Sequence, residues 1–256
     1  MARRLRILPW RRGQTTVEPP APSLWDEFLS RPPEPDDDET RWRAEAADGD
    51  ADAMFALSRL LEGDGRDAEA ADWCHQAAMA GHPAAMAAQA HLHDQRGASG
   101  EARFWWRQAA EQGDTHAMYS LALLLEHGGE KGEAEHWYQA AARQDHVLAQ
   151  AQLAYLLHQR GADQEANHWW QRAAEHGHVS ALYNLGCQAA IAGHTRDAET
   201  WWQRAAELDH VDSMICLARL LDSEQDARAG HWWHRAAAED HPVAATGSGW
   251  ARRSRG

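Results

Sequence analysis

The sequence predicts an all-α fold, a right-handed α-solenoid of about six helix-turn-helix repeats with a period of 32 residues. Three observations predict it. First, a tryptophan recurs at Trp73, Trp105, Trp137, Trp169, Trp201 and Trp232, at spacings of 32, 32, 32, 32 and 31 residues. The strings around it repeat as well: DWCHQAAMAGH (72–82), FWWRQAAEQGD (104–114), HWYQAAARQDH (136–146), HWWQRAAEHGH (168–178), TWWQRAAELDH (200–210) and HWWHRAAAEDH (231–241). Second, another block returns between them: AMFALSRLLE (53–62), AMYSLALLLE (117–126), AQAQLAYLLH (149–158), ALYNLGCQAA (181–190) and SMICLARLLD (213–222). Third, no segment alternates apolar and polar residues over any length, so no strands are expected.

Taken in chain order, residues 1–38 come first. They hold seven of the nine prolines (Pro9, Pro19, Pro20, Pro22, Pro32, Pro33 and Pro35), which opposes helix and sheet and predicts a disordered Pro/Arg-rich arm. Inside it, SLWDEFLS (23–30) is a short apolar island suited to docking on a groove. Residues 39–246 form the solenoid. Arg41 to Ala47 reads as a lone helix of the second type, capping the first repeat. In each repeat, helix A carries apolar residues three and four apart, as at Met118, Leu121, Ala122 and Leu125. Helix B places Ala134, Trp137, Tyr138 and Ala141 on one stripe. Its paired aromatics read as inter-helix core rather than as a ladder for a stacked ligand. Gln89 and His93 in the second unit and Ala189 in the fifth stand where neighbouring units have leucine, and should be soft spots.

Glycines separate A from B: Gly63 and Gly65, Gly97 and Gly100, Gly128, Gly129 and Gly132, Gly161, Gly193. After each helix B stands Gly81, Gly113, Asp145, Gly177, Asp209 or Asp240, read as a tight turn in which the acids cap the next helix. Pro83 and Pro242 fall where a first helical turn begins. Beyond His241 the last helix A fails, and 247–256 is a basic tail. The uncovered end of the stack offers a surface for a homodimer.

Net charge is -14, spread as +2 over 1–35, +3 over 249–256 and -19 between them. Such an acidic body disfavours nucleic acid and favours a basic protein or peptide. No apolar run approaches the ~20 residues of a membrane helix, and Leu5 to Leu8 is too short for a secretory signal. Cys74, Cys187 and Cys216 make neither a disulfide framework nor a metal pair. A cytoplasmic protein with no membrane partner is expected.

The 17 histidines raise the question of a metal. His91 and His93, or His176 and His178, point apart on a helix, and His231 and His234 lack a third donor at suitable spacing. His82, His146, His178, His210 and His241 read as the turn residue of the repeat. No nucleophile elbow, Walker loop or dinucleotide fingerprint appears, so no catalytic, cofactor or metal residue is assigned and no enzyme is expected.

At Leu121 and Ala122 of helix A, and Ala134, Tyr138 and Ala141 of helix B, the chain resembles the tetratricopeptide repeat superfamily. The same pattern recurs at Ala102, Trp106 and Ala109, at Ala166, Trp170 and Ala173, and at Ala198, Trp202 and Ala205. The Trp-aromatic-x-x-Ala-Ala string is most similar to the Sel-one-like branch, although the loop between the helices is shorter here. The resemblance implies that helix A lines a concave face. Opposite its packing stripe, the projection places Phe55, Arg59, His91, Tyr119, Leu123, Tyr155, Tyr183, Ile215 and Arg219. Tyrosine and arginine combine area with a polar tip and are enriched at hot spots. The implied function is an adaptor holding a peptide or protein segment in that groove. The alternative is a regulatory or sensory module with the N-terminal arm as lid or partner-binding motif.

Overall fold

A computed structural model describes residues 38–239. The expectations for the arm, for the turn after His241 and for the tail lie outside the described residues. Among the described residues there are thirteen α-helices and no strand. The first, α1 (Asp38–Ala47), is the lone leading helix. The A helices are α2 (Ala51–Gly63), α4 (Pro83–Gln95), α6 (Thr115–His127), α8 (Val147–Gln159), α10 (Val179–Ile191) and α12 (Val211–Ser223). The B helices are α3 (Asp67–Met79), α5 (Ser99–Glu111), α7 (Lys131–Arg143), α9 (Asp163–Glu175), α11 (Thr195–Glu207) and α13 (Ala229–Ala238).

The period has a simple origin. From α2 to α11, two 13-residue helices and two three-residue turns make 32 residues. Each A-to-B turn closes with a paired hydrogen-bond motif. Gly129 N–H donates to the Glu126 carbonyl at 3.0 Å and Glu130 N–H to that of Leu125 at 2.8 Å. The middle residue must be left-handed, and five repeats supply glycine there, whereas the sixth uses Gln225 at φ 60°. In the B-to-A turns the left-handed position falls to Gly49, Gly81, Gly113 and Gly177, but to Asp145 (φ 63°) and Asp209 (φ 62°) in two repeats. These two acids therefore take the place of glycine and do not cap the next helix, as the sequence had suggested. The residue after them does.

The chain divides between Ala149 and Gln150 into two compact units. In the first, Ala77, Ala78, Ala109, Ala110, Ala141 and Ala142 are fully buried, as are Ala173, Ala174, Ala205 and Ala206 in the second. Paired alanines let neighbouring helix backbones approach closely. The second aromatic is core in the five B helices that have one: Trp106 and Tyr138 in one unit, and Trp170, Trp202 and Trp233 in the other. The first aromatic behaves differently from the expectation of common burial. Trp105 and Trp232 are buried, but Trp73, Trp137, Trp169 and Trp201 are half-buried. A helix rotates 100° per residue, so the two rings point in different directions and need not be buried alike. The small residue of helix A is buried throughout, at Ser58, Ala90, Ala122, Ala154, Gly186 and Ala218. Gln89, a suspected soft spot, is buried beside the Cys74 thiol.

Candidate partner-binding face

The A-helix face is organised by helix caps. Each A helix opens with a side chain that accepts the backbone N–H three residues on, one of the four donors a helix start leaves unpaired. Asp50 accepts from Ala53 at 3.1 Å and Asp114 from Ala117 at 2.7 Å. The other four caps are histidines, through Nδ1: His82 from Ala85 (3.2 Å), His146 from Ala149, His178 from Ala181 and His210 from Ser213 (each 3.3 Å). An imidazole can accept at Nδ1 only when it is neutral and carries its proton on Nε2. His82 fits this state, with Nε2 3.5 Å from Asp52 Oδ1.

Three of these rings lie against an aromatic of the preceding A helix. Phe55 stacks on His82 (centroids 4.4 Å apart, 26° between planes) and Tyr119 on His146 (4.9 Å, 27°). Tyr183 meets His210 at 5.1 Å with a 54° tilt. Burial lowers the pKa of all three histidines. At His146 it falls to about 4, with the neighbouring His116 adding to the effect. At His82 the nearby Asp52 and Asp50 oppose burial, and at His210 Asp212 does so. Burial also pushes the Tyr119 and Tyr183 phenols above their usual range.

The residues expected to line the face divide by exposure. In the first unit, α2, α4 and α6 carry Phe55, Arg59, His91, Tyr119 and Leu123. In the second, Tyr155, Tyr183, Ile215 and Arg219 lie on α8, α10 and α12. Phe55 and Ile215 are only 3% and 4% exposed and belong to the core, which corrects the single-helix projection. The projection omitted neighbours: His82 covers Phe55, and Ile215 packs into the cluster around Trp202 and Trp233. Arg59, Tyr119, Leu123, Tyr155, Tyr183 and Arg219 are half-buried, and His91 is exposed. Arg59 reaches Glu62 at 2.5 Å and His91 pairs with Gln95 at 2.8 Å. The capping role of the histidines was not read from the sequence. Its signal is a histidine 27 residues after an aromatic, as at Phe55 and His82, Tyr119 and His146, and Tyr183 and His210.

Cys187 and Cys216 pack beside Tyr183, and burial raises both thiol pKa values, that of Cys216 to about 12. Among the described residues, no cluster of three or more histidine, cysteine or acidic side chains could hold a metal, and no helix is long and apolar enough to cross a membrane.

The comparisons with known proteins agree with this architecture. No curated protein matches the sequence. A Sel1 repeat protein from Oxalobacter formigenes is similar at 23% identity with a TM-score of 0.61, covering 74% of this chain and 86% of that one. The pilF protein of Pseudomonas aeruginosa is similar at 14% identity with a TM-score of 0.56, covering 72% and 89%. A protective antigen of uropathogenic Escherichia coli with an SLR fold shares 18% identity with a TM-score of 0.51, covering 80% and 57%. These likenesses concern the fold. The Sel1 repeat family matches residues 51–82, 96–114, 115–146, 147–178, 179–210 and 218–241, which is most of the described chain, and the protein belongs to the Sel1 repeat family.

Proposed function

We propose that this chain is a non-catalytic, cytoplasmic adaptor that holds a protein or peptide segment on its A-helix face. Repeats of the Sel1 and tetratricopeptide type are generally protein–protein interaction scaffolds. The observation that carries the reading is made in each unit by itself: the A helices present Arg59 and Tyr119 half-buried and His91 exposed in the first, and Tyr155, Tyr183 and Arg219 half-buried in the second. Half-buried tyrosine and arginine are held in place by their neighbours, so a partner gains contact area at little entropic cost. The charge of -19 between residues 36 and 248 favours a basic segment.

The test begins with affinity capture from the native cytoplasm, using the full chain and a chain lacking residues 1–38. A partner retained by both places recognition on the repeats. Its Kd should then rise at least tenfold for the variant Arg59→Ala, His91→Ala in the first unit or for Tyr155→Ala, Arg219→Ala in the second, with the helical circular dichroism unchanged. Unchanged affinity would remove the A-helix face from the reading. A partner lost with the arm would favour the regulatory alternative.

A further inference from the structure

We infer that the histidine caps form an acid-sensitive device, in which protonation at Nδ1 releases the first turns of α4, α8 and α12. The inference stands independently of any partner. Its basis is geometric. The Nδ1 lone pairs of His82, His146 and His210 accept the N–H groups of Ala85, Ala149 and Ser213. A proton on Nδ1 converts that acceptor into a donor facing another donor. It also sets a positive charge at a helix N-terminus, where the dipole favours a negative one. Cap and charge are therefore lost in one event. The caps of α2 and α6 are the carboxylates of Asp50 and Asp114, which have no imidazole to protonate.

The surroundings rank the three sensors. Facing His146 are Tyr119, stacked on it, and His116, a second imidazole with its centroid 6.4 Å away. Neither offers a negative charge to an incoming proton, so protonation there is the most disruptive. His82 faces Phe55, with Asp52 at 3.5 Å from Nε2 and Asp50 nearby, and these carboxylates soften the change. His210 faces Tyr183 on α10, with Asp212 and the Ser213 hydroxyl on its own helix. Ser213 Oγ lies 2.8 Å from Nδ1 and can turn to accept once the ring is protonated, which makes this the mildest sensor. The sign follows from burial. Each native ring resists protonation more than the free side chain does, so stability is complete above the unfolded pKa near 6.5 and falls as pH drops below it.

The experiment is amide hydrogen exchange on the full ¹⁵N-labelled chain between pH 7 and pH 5, corrected for the intrinsic pH dependence of exchange. The Ala149 N–H should lose protection about 15-fold between pH 6.5 and pH 5, the slope approaching tenfold per pH unit once the unfolded imidazole is mostly protonated while native His146 stays neutral. The Ala117 N–H, capped by Asp114, should hold steady. Asn is a cap that does not titrate, so His146→Asn should flatten the Ala149 response and leave that of Ala85 in place. Flat protection at Ala149 in the wild-type chain, or an unchanged decline in His146→Asn, would overturn the inference. Should that variant fold poorly, ring ¹⁵N shifts of the wild-type histidines decide the matter. A protonated Nδ1 on His146 at pH 7 sinks the inference, and an Nε2–H tautomer that persists to pH 5 supports the resistance it requires.

Discussion

Gly186→Ala should destabilise the protein, although alanine is the better helix former at a position inside α10. The gain in helix propensity is about 1 kcal/mol. Against it stands a collision. A Cβ at residue 186 would lie 2.4 Å from Cδ1 of Trp202, 2.5 Å from Nε1 and 2.9 Å from Cγ. Cγ is the root of the side chain, so the indole cannot turn its tip aside and the whole residue must shift. Trp202 is only 3% exposed and sits in a cluster with Met214, Leu217 and Ala218, which leaves it little room. Overpacking of this kind costs about 1–3 kcal/mol, and a clash with ring atoms at this depth belongs at the upper end. The net loss is then about 1–2 kcal/mol, or a fall in Tm of roughly 2–8 °C. Urea and thermal unfolding followed by circular dichroism would measure it. A double-mutant cycle isolates the cause, because in a Trp202→Leu background the same Gly186→Ala change should become neutral or stabilising. A rise in Tm for Gly186→Ala alone, or an equal cost in both backgrounds, would refute the packing argument.

Three further outcomes follow from the repeat register. Gln225 holds the left-handed position that glycine fills in the five preceding A-to-B turns, so Gln225→Gly should stabilise by about 0.5–1 kcal/mol in urea unfolding. The Tyr138 hydroxyl donates to Glu126 and the Trp233 indole N–H to Asp222, each at 2.8 Å. The matching acid site in the fifth repeat is Ala190, and the buried Trp202 Nε1 has only the weak acceptor of the Cys187 thiol beside it, so Ala190→Asp should raise stability by about 1 kcal/mol. Burial lifts the Cys216 thiol to about 12, so at pH 8 it should react with a disulfide reagent about 10³-fold more slowly than in the urea-unfolded chain. Rapid labelling of native Cys216 would contradict that burial.

The repeat was legible because its signal is local. Two helices and two tight turns of fixed length force every key residue to recur at 32, and the lone α1 and the turn glycines follow from the same count. What could not be read from one unit depends on the next. Phe55 reads as groove when its helix is projected alone, but the ring that covers it is His82, which caps the following A helix. Asp145 and Asp209 read as caps because acids commonly cap. The capping position is one residue later, and the register of the glycine-bearing turns was the clue to that. Imidazoles at these positions read as metal ligands or plain turn residues, whereas their structural role is that of a neutral acceptor, a state invisible to a count of charges.

The outer tryptophans bear on function more than their exposure suggests. A ladder for stacked bases or ligands needs open ring faces. In the second unit one face of each ring already carries an arginine, with the guanidinium of Arg172 5.4 Å from the Trp169 ring, Arg204 5.1 Å from Trp201, and Arg235 5.5 Å from Trp232. Two of these arginines also reach the preceding repeat. Arg204 donates to the Ala174 carbonyl near the end of α9 at 3.0 Å, and Arg235 to Asp209 at 2.6 Å. Trp201 and Trp232 are thereby platforms for arginines that tie one repeat to the preceding one. Arg204→Ala should cost about 1–2 kcal/mol, combining a charge-assisted bond to a helix C-terminus with a cation–π contact. Arg204→Lys should recover less than half of that, because a compact ammonium cannot lie flat on the indole and reach the carbonyl at once. Chemical unfolding of the two variants decides it. If both match the wild type, the tryptophan face is open and must be counted as a binding surface. If they rank as expected, the B-helix tryptophans serve the stack and the A-helix face is left as the surface for a partner.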